Sequence, residues 1–147
     1  MTYVGQPVKR FEDAPLATGQ GRFLDDVSTA LPDLGLRVVR RRAESAAHGE
    51  LREAFELALA RALAPMATLV ELALPFVRPG GRLLAMKTVA AADEIDAAAH
   101  AITRSGGRLR SCREVSWPGL RMPRLIVEVE KVHPTPVELP RRDGVPR

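Results

Sequence analysis

The chain has a single cysteine, Cys112, in 147 residues, which excludes an intrachain disulfide and a metal cluster built on thiolates. The three histidines, His48, His100 and His133, are scattered without ligand spacing, so no metal site is expected. Aromatic residues make up only 4%. The core must therefore come from Leu, Val and Ala, and because Ala buries little area the expected stability is small. No apolar run reaches the length of a membrane span and the amino terminus has no apolar signal core, so a cytoplasmic protein is expected. A phosphate- or nucleotide-cradling loop is also missing. Gly19-Gln20-Gly21 follows no apolar strand and opens no helix, which is the context such a loop requires.

What is present is an ordinary globular composition, 46% hydrophobic and 27% charged, long enough for one domain with a real core. The net charge is +4 and the pI is near 10. The first 28 residues hold three basic and four acidic side chains, so the remainder carries about +5. That tilt suits a polyanion such as RNA, and equally suits an arginine-rich composition with no nucleic-acid role.

Residues 1–33 read as a coil-rich leader, interrupted by Gly5, Pro7, Pro15, Gly19, Gly21 and Pro32. Residues 36–42 alternate weakly around Val38 and Val39 and suggest a strand, and Glu50 to Ala54 a short helix. Phe55 to Ala60 has strand length, Ala67 to Leu74 is apolar on nearly every face and suits a buried helix, and Pro75 limits it. Pro79-Gly80-Gly81 predicts a tight turn before a buried strand over Arg82 to Met86. Asp93 is placed to cap a helix with the stripe Ile95, Ala98, Ala99 and Ile102, stopped at Gly106-Gly107. Strands follow over Leu109 to Val115 and Leu125 to Val132, the second with Leu125, Val127 and Val129 on one face, and Pro118 to Pro123 joins them. Prolines 134, 136, 140 and 146 give residues 133–147 the pattern of an extended basic tail. The sum is an α/β domain over residues 34–132 with an antiparallel pair at a sheet edge.

Several ordered segments carry a family resemblance. They are Leu34-Gly35-Leu36, Arg42-Ala43-Glu44, Phe55-Glu56, Ala60-Arg61-Ala62-Leu63-Ala64-Pro65, the Pro79-Gly80-Gly81-Arg82-Leu83-Leu84 turn and strand, Lys131-Val132-His133-Pro134-Thr135-Pro136, and the closing Pro140-Arg141-Arg142-Asp143-Gly144-Val145-Pro146. Together they resemble the carboxyl-terminal part of the RsmG (glucose-inhibited division protein B) family of ribosomal RNA methyltransferases. The resemblance implies a partial Rossmann-like class I methyltransferase sheet without its first strands. It also implies S-adenosylmethionine-dependent N7-methylation of a guanosine in small-subunit ribosomal RNA. It assigns Ala43, Glu44 and Arg61 to the cofactor, and Arg61, Lys87, Arg141 and Arg142 to RNA; no catalytic residue is assigned. Because the glycine-rich donor loop is missing, the expectation is a chain that does not bind the donor usefully, and one that self-associates through the exposed sheet.

A second, shorter resemblance covers residues 2–27. Tyr3-Val4-Gly5-Gln6-Pro7-Val8-Lys9-Arg10, Glu12-Asp13, Thr18-Gly19-Gln20-Gly21-Arg22-Phe23 and Asp25-Asp26 are similar to the opening of molybdenum hydroxylase large subunits. The two resemblances together imply a fused or truncated chain joined near residues 27–34. The rival function is a non-catalytic RNA-binding remnant using Arg40 to Arg42, Lys87 and the basic tail. A molybdenum hydroxylase fragment is the weaker alternative, since that activity needs a long downstream portion.

Overall fold

The computed structural model describes residues 37–118 and 121–141. In chain order these form a one-turn helix α1 (Ala43–Ala46), strand β1 (Phe55–Arg61) and helix α2 (Met66–Ala73), which runs into a 3-10 turn. Strand β2 (Val77–Thr88), helices α3 (Ala92–Ala97) and α4 (Ala99–Arg104), and strands β3 (Gly107–Val115) and β4 (Arg124–Lys131) follow. The four strands make one mixed sheet in the order β1-β2-β4-β3, with β1 and β2 parallel and the other pairs antiparallel. The crossover through α2 is what allows the parallel pair, whereas the short connection from β3 to β4 permits only an antiparallel one.

The helices cover one face of this sheet. Leu83 and Ala85 of β2 and Leu125, Val127 and Val129 of β4 point into it, under Met66, Leu69, Val70 and Leu74 of the α2 segment and Ile95, Ala98 and Ile102. The opposite face runs in registered rows across all four strands. Arg61, Met86, Ile126 and Arg113 form one row, and Leu59, Leu84, Glu128 and Ser111 the next. On this open face Leu57 and Leu59 are exposed, Leu59 by 74%.

The structure departs from the sequence pattern in several places. Residues 37–42 form no strand, and the helix falls on Ala43–Ala46 rather than on Glu50 to Ala54. Residues 47–53 are a turn because Glu53 holds a positive φ of 49°, and its N–H donates to the Pro75 carbonyl rather than back along a helix. Pro79-Gly80-Gly81 is not a turn ahead of a strand but an irregularity within β2. Between Phe55 and Leu57 the partner register jumps from Val77 to Arg82, and Gly80 takes up the excess at φ +85°. The helix after β2 divides at Ala98, whose N–H is shared between the Glu94 and Ile95 carbonyls. That division turns Ala99 to solvent, while Ile95, Ala98 and Ile102 stay buried. Asp93 does not cap; the capping position is Ala91, without a side-chain bond.

Candidate functional site

In open α/β sheets ligands bind beyond the carboxyl ends of the parallel strands. Here β1 and β2 end side by side, with Arg61 opposite Met86. Arg61 is exposed, and the next residue, Ala62, has φ +52°, a geometry that costs a non-glycine residue about 1–2 kcal/mol. The chain thus turns sharply before Pro65 opens α2. Lys87 follows Met86 on β2. Its Nζ donates to the Ala64 carbonyl at 2.5 Å and to Glu94 Oε1 at 2.7 Å, and the same carboxylate oxygen accepts the Met66 N–H. Pro65 has no side chain able to cap α2, so Glu94 reaches across to do so, and Lys87 balances its charge.

Ala43 and Glu44 open α1, which packs beside α2. Glu44 is only 6% exposed and accepts a hydrogen bond from Arg42 Nη2 at 3.3 Å, so it is not a surface charge. Arg61 and Lys87 are therefore brought to one end of the sheet, and Ala43 and Glu44 lie on the helix that flanks α2. The expected adenosyl donor needs polar groups for its methionine and ribose ends. Ala43 offers no polar side chain, Glu44 is turned to Arg42, and Arg61 is the one of the three with an uncommitted polar head. Among the described residues this does not amount to a complete donor site.

Arg141 is held by Glu71 of α2. Its backbone N–H and Nε each donate to Glu71 Oε1 at 2.9 Å, and Nη2 donates to Oε2 at 2.5 Å. Burial, the largest single influence, pushes the Glu71 carboxyl up, but the hydrogen bonds and charge of Arg141 outweigh it and bring it below its ordinary value. Its stabilising contribution is thus complete above about pH 4.5 and is lost as pH falls through the lower folded value. Glu71→Gln should cost about 2 kcal/mol at neutral pH and almost nothing once the wild type is acidified past that limb; thermal melts from pH 7 to 3 check this. Arg142 lies outside the described residues.

The rest of the segment leading to Arg141 is held as firmly. Lys131 is fully buried; its Nζ donates to the Leu74 and Ser105 carbonyls and to Thr135 Oγ1, and Glu53 lies 3.4 Å away. Burial pushes the Lys131 ammonium down to about 8, against the pull of Glu53. Arg52 donates to four backbone carbonyls, those of Ala47, Thr135, Pro136 and Leu139. Residues 132–141 have no helix or strand, yet Thr135, Leu139 and Pro140 are buried. Sequence reasoning gave no role to Arg52, Glu53, Glu71 or Glu94. Apart from the bonds of Arg52 to Ala47 and of Glu94 to Lys87, their partners lie from 28 to 87 residues away, beyond any local period.

A parallel pair crossed by one helix and extended by an antiparallel pair is an α/β arrangement of the methyltransferase kind. An rRNA methylase from Streptococcus thermophilus shares the fold with a TM-score of 0.50 and 23% identity, over 75% of this chain and 68% of that one. The chain belongs to the rRNA small subunit methyltransferase G family, GidB, whose profile matches residues 19–119. It is 41% identical over 128 residues to ribosomal RNA small subunit methyltransferase G of Dehalococcoides mccartyi, covering 86% of this chain and 54% of the relative. The Chloroflexus aggregans protein of that name is 42% identical over 132 residues, 88% of this chain and 55% of its own length. The chain thus spans about half the length of the curated relatives it matches. The family match begins at residue 19, inside the expected leader, and runs through the expected junction. The molybdenum hydroxylase resemblance is not supported.

Proposed function

We propose that this chain carries the carboxyl-terminal part of a methyltransferase that modifies a guanosine N7 in small-subunit ribosomal RNA with S-adenosylmethionine. The observation that supports it best is the placement of Arg61 and Lys87, on opposite faces, at the carboxyl ends of a parallel pair in a chain of that family. When bound, the donor supplies the electrophilic methyl group. The residues here orient and balance charge. Glu94 and Lys87 fix the start of α2 and hold the turn that follows Arg61, and Arg61 presents a cation toward the substrate side. Such transfer depends on alignment more than on covalent help.

These 147 residues by themselves are expected not to hold the donor, because Glu44 is engaged and no glycine-rich loop completes the site. Isothermal titration with S-adenosylmethionine and a methyl-transfer assay on small-subunit ribosomal RNA test this. No saturable heat and no transfer are expected; micromolar binding would show that the residues present suffice.

A further inference from the structure

The arginines of the sheet divide into two groups by their partners. At the end where β1 and β2 begin, each arginine has a carboxylate. Arg78 meets Glu56 at 2.6 Å, Arg82 meets Glu128 at 3.1 Å, Arg108 meets Glu130 at 2.9 Å, and Arg110 reaches both Glu128 and Glu130. At the other end, where β1 and β2 finish, Arg61, Arg113, Arg121 and Arg124 make no salt bridge or side-chain hydrogen bond among the described residues.

Register sets three of them, Arg61, Arg113 and Arg124, on one end of the open face, and Arg121 lies in the link beyond it. Arg61 and Arg113 close the two ends of one row across the sheet, with Met86 and Ile126 between them. Arg124 stands opposite both Thr88 and Val115, at the mouth of the link that carries Arg121. Three strand spacings separate β1 from β3, a span of about 14 Å. Glu114 is the acidic residue on the same stretch of β3, so the rim keeps a cationic excess. The same link holds Trp117, the chain's one tryptophan, 47% exposed, and Met122, also exposed.

Unpaired arginines beside an exposed indole match single-stranded nucleic acid. Guanidinium groups neutralise phosphates, and a flat ring gives a splayed base a surface to stack on, which a duplex does not offer. We propose that this rim binds a single-stranded RNA segment, with a base stacked on Trp117 and the backbone running past Arg121, Arg124 and Arg113 toward Arg61. The assignment rests on the reading that the chain handles ribosomal RNA, and it replaces Lys87 and Arg141 as the main contacts, since those cations are held by Glu94 and Glu71.

Because Trp117 is the sole tryptophan, its fluorescence reports on this rim alone. The full chain is titrated with an unstructured RNA oligonucleotide across a salt series. Saturable quenching is expected, with a log–log salt slope near −3 if four phosphates are neutralised, at about 0.7 per phosphate. The Arg113→Ala/Arg121→Ala double variant should flatten that slope by about 1.4. Trp117→Leu, followed by RNA anisotropy, should weaken binding about tenfold and leave the slope unchanged. RNA binding with neither quenching nor sensitivity to these variants would overturn the surface and leave the ribosomal-RNA reading standing. No RNA binding at low salt would overturn both. A change in emission that follows protein concentration without RNA would assign the rim to contacts between copies instead.

Discussion

Arg52→Ala is expected to be the most damaging single substitution in the chain, at about 4 kcal/mol. The guanidinium donates to the carbonyls of Ala47 at 3.2 Å, Thr135 at 2.7 Å, Pro136 at 2.9 Å and Leu139 at 2.9 Å. Hydrogen bonds from a charged donor contribute about 1.5–3 kcal/mol each and do not add fully, and their loss also strands half-buried acceptors. A small domain has about 5–15 kcal/mol in all, so much of it would go. Arg52→Lys should recover only part, because one ammonium cannot reproduce a planar fork of donors. Urea unfolding measures both. A lower midpoint at unchanged slope is the expected result, and a midpoint within experimental scatter of wild type would mean that the segment holds without Arg52.

Gly106→Ala follows, at about 3 kcal/mol. Gly106 ends the helix pair with φ +82°, and its carbonyl accepts the N–H groups of Val132 and His133 at 2.9 and 3.0 Å. An added Cβ would overlap the His133 carbonyl oxygen and press on that of Pro134. The left-handed geometry alone costs an alanine about 1–2 kcal/mol, and the contact is with backbone, which cannot turn aside as a side chain would. Circular-dichroism melts of the variant test this; a midpoint equal to that of wild type would show that residues 132–134 move away freely.

Much of the fold can be read from local pattern. The alternation in β4 places Leu125, Val127 and Val129 in the core, and the spacing of Ile95, Ala98 and Ile102 marks the helical face that covers them. Period fails where a charge decides the geometry. The turn before β1 follows its tertiary contacts: Arg52 and Glu53 reach residues 135–139 across the fold, and strong helix formers there give way. The Pro-Gly-Gly motif misleads for a related reason, since it is an irregularity inside β2, across which the pairing with β1 jumps from Val77 to Arg82. At the candidate site, the family resemblance points to Arg61 and Lys87, which the fold sets at the same end of the sheet but on opposite faces. It is silent on Glu94 and Glu71, because the Glu94 bond to the Met66 N–H and the Glu71 pair with Arg141 span 28 and 70 residues and leave no mark in local spacing.

The bonds from Arg52 to Thr135, Pro136 and Leu139 span 83, 84 and 87 residues. Their timing follows from synthesis. A ribosome adding about 5–20 residues per second leaves Arg52 without these acceptors for on the order of ten seconds after it is made. Over the same interval β1 has already been translated while β3 and β4, the far side of its sheet, are still being made. The bonds that fasten residues 135–139 are therefore among the last this chain can close during synthesis, after β1 has already been made.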